Sequence, residues 1–154
     1  MDNDSNVLSL KNQLCFPIYL CSKEIIRKYT PLLDELDLTY TQYIVMMYFW
    51  EKEKSNVKEI GNTLLLDSST LTPLLKKLES KGYITRVRST KDERNLEVTI
   101  TDKGKQLKTK ALTIPKKMGK CIDLSDEEAI TLYKLVNKVL LNVERNDIDE
   151  SNRG

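Results

Sequence analysis

Residues 57–100 read VKEIGNTLLLDSSTLTPLLKKLESKGYITRVRSTKDERNLEVTI, and three local signals follow one another in this stretch. Asn56 precedes a short amphipathic run, and Asp67 or Ser68 precedes a second, each a residue type that accepts hydrogen bonds from the free N–H groups of a helix start. In the second run Leu71, Leu74, Leu75 and Leu78 recur at i, i+3, i+4 and i+7, the stripe of a helix packed on one side. Ser69, Thr70, Thr72, Lys76 and Lys77 are left facing outward, and Gly82 stands where a helix ends in a left-handed residue. Two short helices joined by a tight turn make a helix-turn-helix. Next come Tyr83–Arg88 and Leu96–Ile100, two β-rich alternating runs around the charged stretch STKDERN, which predict a two-stranded hairpin. Helix-turn-helix followed at once by a hairpin is the order of a winged helix.

Working outward, the apolar positions Leu10, Leu14, Ile18, Cys21, Ile25 and Tyr29 form one helical stripe, with Pro17 either kinking the helix or marking the start of its regular part. Thr30 and Pro31 predict a fresh start, Thr30 as cap and Pro31 at the first position, for a short helix to Leu36. Thr41 is expected to cap an apolar helix through Trp50. Beyond the hairpin, Thr101 or Asp102 opens a helix to Ala111. Ser125 and the acidic residues after it open a last long helix with Ile130, Leu132, Val136, Val139, Leu140 and Val143 on one side. Its tail after Glu144 is expected to fray.

The expected fold is therefore mainly α with a small β-hairpin wing, one domain over residues 1–154. Residues 56–101 form the winged helix-turn-helix lobe in this reading, and residues 8–30 and 102–145 the outer helices. The apolar stripes of those outer helices exceed what so small a lobe can cover, so they are expected to pack on a second copy of the chain.

Charge supports a DNA reader. The chain has 154 residues, 40% hydrophobic and 31% charged, with a formal net charge of +2. That figure conceals a layout of −3 over residues 1–75, +9 over 76–120 and −4 over 121–154. Lysine and arginine release counterions from phosphates, and short polar side chains on an exposed helix reach base edges in the major groove. A lysine-rich helix alone is more often a solvated face. Here charge, helix-turn-helix and hairpin coincide. Arg94 at the hairpin tip suits the negative potential of a minor groove.

The chain has no histidine and three cysteines, Cys15, Cys21 and Cys121. This excludes Ser-His-Asp and Cys-His nucleophiles, and the cysteine spacing matches no zinc pattern, so neither a cofactor nor a metal is expected. The acidic N-terminus lacks a secretory pattern, and the longest apolar run, Tyr43–Trp50, is too short to cross a membrane. A cytoplasmic protein with thiols reduced at rest is expected. Cys15 lies near a helix start, where the positive end of the helix favours a thiolate, with Tyr19 four residues on along the same face. Packing alone is the blander reading of Cys15 and the preferred one for Cys21.

The segments LKNQLCFPIY at 10–19, PLLDELDLTYTQY at 31–43, LDSSTLTPLLKKLE at 66–79 and DERNLEVTITDKG at 92–104 together resemble the MarR family of winged-helix repressors, and within it the organic-hydroperoxide-sensing OhrR branch. The resemblance spans about residues 8–145 and implies a homodimer on a pseudo-palindromic double-stranded operator. It implies that Cys15 is oxidised to a sulfenic acid by an organic hydroperoxide, and that tyrosines at the positions of Tyr29 and Tyr40 of the partner subunit bond to it, with Tyr19 in the same pocket. Ser68, Thr70, Thr72 and Lys76 correspond to groove contacts, and Asp92 and Arg94 to wing residues. Pro17 departs from the family pattern. Cys121 resembles the resolving cysteine of two-cysteine members, which form an intersubunit disulfide; single-cysteine members form a mixed disulfide with a small thiol. A repressor released by a small phenolic ligand and a thiol peroxidase acting through Cys15 are the rival readings. The second leaves the basic middle unexplained.

Overall fold

The computed structural model describes residues 4–89 and 96–151, with side chains for 6–89 and 96–144. Residues 1–114 and 115–154 form two compact units. The first contains a short helix α1 (Asp4–Val7), a 3-10 turn at Leu10–Asn12, α2 (Cys15–Asp34), α3 (Tyr40–Lys52), β1 (Lys54–Asn56), α4 (Val57–Leu64), α5 (Ser68–Ser80), β2 (Ile84–Arg88), β3 (Leu96–Ile100) and α6 (Asp102–Ala111). The second is built on α7 (Ile114–Ile122) and α8 (Asp126–Ser151).

The winged lobe forms where the leucine stripe placed it. Leu71, Leu74, Leu75 and Leu78 of α5 are buried, together with Val45, Met46 and Phe49 of α3, Ile60 of α4, and Ile84, Val98 and Ile100 of the strands. Asn56 accepts from the Glu59 N–H at 2.8 Å to start α4, and Asp67 accepts from the Thr70 N–H at 2.8 Å to start α5. Gly82 takes φ +76° after α5, the conformation that ends a helix most readily without a Cβ. Thr101 caps α6 by accepting from the Gly104 N–H at 3.1 Å.

The wing has three strands rather than two. β3 is central in the order β1-β3-β2, with Ser55 opposite Val98 and Arg86 opposite Val98 on the other edge, both pairs antiparallel. The sequence LysSerAsn shows no apolar alternation, and β1 is held by its backbone ladder and by a buried hydroxyl network. Ser55 donates to Glu59 at 2.9 Å, and its oxygen lies 2.7 Å from the Tyr48 hydroxyl. Such a strand leaves little trace in side-chain pattern.

Two other expectations, on Pro31 and on the cap of α3, are corrected, and one of the two readings of Pro17 is selected. Pro31 does not open a new helix: α2 runs unbroken from Cys15 to Asp34 with Pro31 inside it. The N–H that Pro31 lacks removes one helix bond, and burial of Leu33 and Leu36 just beyond keeps the helix going. Of the two readings of Pro17 the second stands: it falls in the first turn of α2, where an N–H has no helix acceptor, so it is accommodated at the start of the regular helix. The cap of α3 is Thr39, not Thr41. Thr39 accepts from the Gln42 N–H at 3.3 Å while Gln42 accepts from the Thr39 N–H at 3.1 Å, a reciprocal pair that Thr41 cannot make. Helix α7 and the continuation of α8 past Glu144 to Ser151 are further additions to the expected elements.

Candidate functional site

Helix α5 exposes the residues its stripe left outward. Ser68, Ser69, Thr70, Thr72, Lys76 and Lys77 are all exposed, and among the described residues neither lysine is in an ion pair. Two of the polar groups are partly committed to the helix start. The Ser69 hydroxyl donates to Asp67 at 2.5 Å, and these bonds hold the Asp67 carboxyl below its usual range. Among the described residues no ion pair engages Lys76, and it stands one turn from the exposed Thr72 on the same helix. Asp92 and Arg94 lie outside the described residues.

An open cleft of about 940 Å³ runs between α4, α5 and the wing, with Val57, Gly61, Leu65, Ser68, Thr72 and Leu96 along its walls. Gly61 has a steric reason to be glycine, since a Cβ there would stand 2.8 Å from the Leu66 carbonyl oxygen. The far end of α5 is tied to the wing. Glu79 accepts from the Arg86 backbone N–H at 3.0 Å, from Nε at 2.9 Å and from Nη2 at 2.6 Å, and this guanidinium holds the Glu79 carboxyl below its usual range. The sequence alone offered no sign of this pair, because a separation of seven residues across a turn has no helical or strand periodicity to flag it.

The junction between α5 and β2 is held from two sides. Lys81 pairs with Asp37 at 3.0 Å and also donates to the Asp37 carbonyl, tying it to the turn after α2. From α6, Lys103 donates to the Lys81 carbonyl at 2.7 Å, and the Thr101 hydroxyl donates to the Gly82 carbonyl at 2.6 Å.

Cys15 is the first residue of α2 and is exposed, as is Tyr19 one turn on. Tyr29 and Tyr40 come together, with ring centroids 4.8 Å apart, and Tyr43 joins them at 5.9 Å from Tyr29. Burial pushes the Tyr29 and Tyr43 phenols above 10.0, and the neighbouring Tyr40 adds to both shifts. Trp50 extends the cluster, 6.1 Å from Tyr43, and its indole N–H donates to the Gly104 carbonyl at 2.9 Å. Local sequence pattern gives no sign of this role for Trp50, because its hydrogen-bond partner is distant in the chain. Within one chain Cys15 does not reach this cluster, since fourteen residues of continuous helix put Tyr29 about 21 Å along the axis. Cys21 is exposed on α2 rather than packed, and Cys121 is exposed on α7.

The lobe and its basic helix face define a winged-helix DNA-binding protein. Residues 27–111 match the family model for the transcriptional regulator SarA/Rot. The HTH-type transcriptional regulator SarZ of Staphylococcus saprophyticus is 52% identical over 134 residues, covering 84% of this chain and 92% of SarZ. The chain belongs to the SarA/Rot family of transcriptional regulators, and it is a regulator rather than an enzyme. The structure of reduced AbfR bound to DNA, a protein of Staphylococcus epidermidis, superposes with a TM-score of 0.74 at 33% identity, covering 87% of this chain and 95% of AbfR. Disulfide-formed AbfR gives 0.63 at 31% identity over 92% and 97% of the two chains. The reduced form of Escherichia coli MarR gives 0.66 at 26% identity over 83% and 96%. The fold is MarR-like, and the family model that matches the chain is SarA/Rot. Among the described residues no helix is long and apolar enough to cross a membrane.

Proposed function

We propose that the chain is a homodimeric, oxidation-sensing repressor that releases its operator when Cys15 is oxidised. The reduced dimer sets its two α5 helices into successive major grooves of a pseudo-palindromic site, about one helical turn apart. Ser68, Ser69, Thr70, Thr72, Lys76 and Lys77 meet the groove and its phosphates, with Asp92 and Arg94 serving the wing. An organic hydroperoxide is the oxidant. The Cys15 thiolate attacks the terminal peroxide oxygen, the O–O bond breaks, and sulfenate and an alcohol result. The sulfenic acid then condenses with Cys121 of the partner subunit, releasing water and forming an intersubunit disulfide. A disulfide requires Cα atoms within about 7 Å, so the cross-link holds the helices in one arrangement that no longer spans both half-sites.

The observation that carries this reading is the placement of Cys15 and the tyrosines. Cys15 opens α2 on the surface, while Tyr29 and Tyr40 gather at the far end of the same helix, about 21 Å away. A sensor pocket that uses all of them, with Tyr19, takes its cysteine and its tyrosines from different copies. Exposed apolar residues support the second copy: Leu14 just before α2 and Ile18 on it, and Ile130, Leu132, Val136 and Val139 on α8. The relatives AbfR in reduced, DNA-bound form and in disulfide form support a redox switch on this fold.

The test is operator binding with and without cumene hydroperoxide, paired with a non-reducing gel. Cys15→Ser is expected to bind DNA and ignore peroxide, and Cys121→Ser to be oxidised without cross-linking. A wild-type protein that never cross-links removes the disulfide step. Release of Cys15→Ser by a small phenol would replace peroxide sensing with ligand binding, and catalytic peroxide turnover with a reductant would favour a peroxidase.

A further inference from the structure

Helix α2 carries Cys15 at one end, and its other end is fastened to the end of α5. The helix runs 20 residues without a break, about 28 Å along its axis. Past Asp34 the chain turns at once. The Leu36 and Leu38 N–H groups both donate to the Leu33 carbonyl, at 2.9 and 3.1 Å, and all three leucines are buried, so the turn moves with α2. Its exposed residue, Asp37, takes φ +53°, a left-handed conformation that aspartate tolerates better than most residues with a Cβ.

This turn meets the residues that end α5. Lys81, the C-cap of α5, sets one ammonium on both the carboxylate of Asp37, at 3.0 Å, and the Asp37 backbone carbonyl. Two residues on, the Tyr83 hydroxyl donates to the adjacent Leu36 carbonyl at 3.4 Å, and burial pushes this phenol above 10.0, so it keeps its proton as a donor. Lys103 of α6 backs the junction. It donates to the Lys81 carbonyl at 2.7 Å, and its ammonium stands 5.1 Å from the centre of the Tyr83 ring. A surface ion pair by itself adds little stability. Here the Lys81 side chain is only 25% exposed, and bonds onto one carboxylate and two consecutive carbonyls fix the direction in which α5 ends.

We propose that Lys81 is a positioning residue that holds α5 at the angle DNA requires, and that a tilt of α2 on oxidation of Cys15 reaches α5 through the Asp37–Lys81 contact. The proposal rests on the redox reading above. The ring cluster of Tyr29, Tyr40 and Tyr43 joins α2 to α3 and serves as the pivot. Cys15 lies about 21 Å to one side of Tyr29 along the axis, and the end of the helix about 7 Å to the other. A tilt of about 10° then moves Cys15 by about 4 Å and the helix end by about 1 Å, the scale of helix shifts in switching proteins. A further ångström takes the 3.0 Å contact beyond the ~3.5 Å reach of a hydrogen bond, and α5 is released from α2.

The test measures binding of the full chain, before and after cumene hydroperoxide, to a duplex that the wild-type protein enriches from a random-sequence pool. Lys81→Met keeps an apolar stem and removes the ammonium. It is expected to weaken binding by the reduced protein about fivefold and to leave the oxidised protein unchanged, so the ratio of the two affinities falls about fivefold. Asp37→Asn, which still tolerates the left-handed turn, is expected to do the same, with little further loss when the two are combined. Lys81→Arg is expected to keep the wild-type ratio. Cross-linking on a non-reducing gel stays at the wild-type level in every variant, because Cys15 and Cys121 are untouched. An unchanged ratio in Lys81→Met overturns the proposal, as does equal weakening of the reduced and oxidised forms, the mark of simple destabilisation. Losses from Lys81→Met and Asp37→Asn that multiply overturn the contact between them. A change in cross-linking overturns it too, since Lys81 would then act on the cysteines rather than beyond them. A wild-type protein that binds equally before and after peroxide overturns the redox reading, and the coupling falls with it.

Discussion

The rings of Tyr29 and Tyr40 stand 4.8 Å apart and tilted by 52°, although Tyr29 belongs to the long helix α2 and Tyr40 opens α3. Packed aromatic pairs of this kind are worth about 1 kcal/mol beyond the area they bury. With Tyr43 they form one ring cluster between α2 and α3, at the far end of α2 from Cys15.

The cluster makes stability depend on alkaline pH. Burial, reinforced by neighbouring tyrosines, raises the Tyr29 and Tyr43 phenols above 10.0 in the folded protein. A raised folded value means the fold holds the proton more tightly than the unfolded chain. The stabilisation is complete below about pH 10 and is lost as pH rises through the folded values. Urea midpoints measured from pH 8 to 11 are expected to fall above pH 10, and Tyr29→Phe to flatten part of that fall. An unchanged profile in Tyr29→Phe counts against the coupling.

At the start of α5 the sign is opposite. Hydrogen bonds from Ser69 and Thr70 hold the Asp67 carboxyl below 3.8, so its contribution is present above the unfolded value and disappears as pH falls through the folded one. Asp67→Ala is expected to lower the melting temperature at pH 7 and to lower it much less at pH 3. Because the cap sets the first turn of α5, the same variant is expected to bind DNA more weakly. Equal losses at both pH values would remove the carboxylate from the explanation.

Gly104 marks the closest approach of α6 to the wing. A Cβ there would sit 2.3 Å from the Tyr83 carbonyl oxygen and 2.7 Å from the Ile100 side chain, and the first of these is backbone that cannot swing away. Gly104→Ala is expected to cost about 2 kcal/mol or more in equilibrium unfolding, at the upper part of the overpacking range. It should also displace the carbonyl that accepts from Trp50, visible as a shift in tryptophan emission. A fully stable alanine variant with wild-type emission would show that α6 can move away freely.

Val136 and Val139 are 47% and 44% exposed on α8, in a helix that also exposes Ile130, Leu132 and Leu140. Apolar area of that extent on one helix is expected to be covered in solution. Replacing both valines with aspartate should convert a dimer to a monomer in sedimentation and weaken operator binding at least tenfold, since each half-site then binds alone. A variant that stays dimeric would place the interface elsewhere.

Much of the lobe was legible because it rests on periodic side chains. The stripe Leu71, Leu74, Leu75 and Leu78 is buried as its spacing required, and the caps at Asn56, Asp67 and Thr101 hold as their chemistry required. Where a local signal competed with a longer-range one, the local signal lost. Pro31 has the look of a helix start, yet the burial of Leu33 and Leu36 carries α2 straight through it. Thr41 and Thr39 are equivalent as residue types, and only the reciprocal bonds with Gln42 choose between them.

The amino-acid order by itself determined the helix-turn-helix, the wing that follows it, the basic middle and the outward polar face of α5. All of these are set by contacts within one or two turns of helix or within one hairpin. Tertiary structure alone decided which charged residues are spent on architecture and which are left over. Arg86 and Arg88 are the same residue type two positions apart, and nothing local separates them. Folding brings Glu79 to the first and leaves the second exposed, because a carboxylate seven residues back in the chain meets the strand only after Gly82 has turned it.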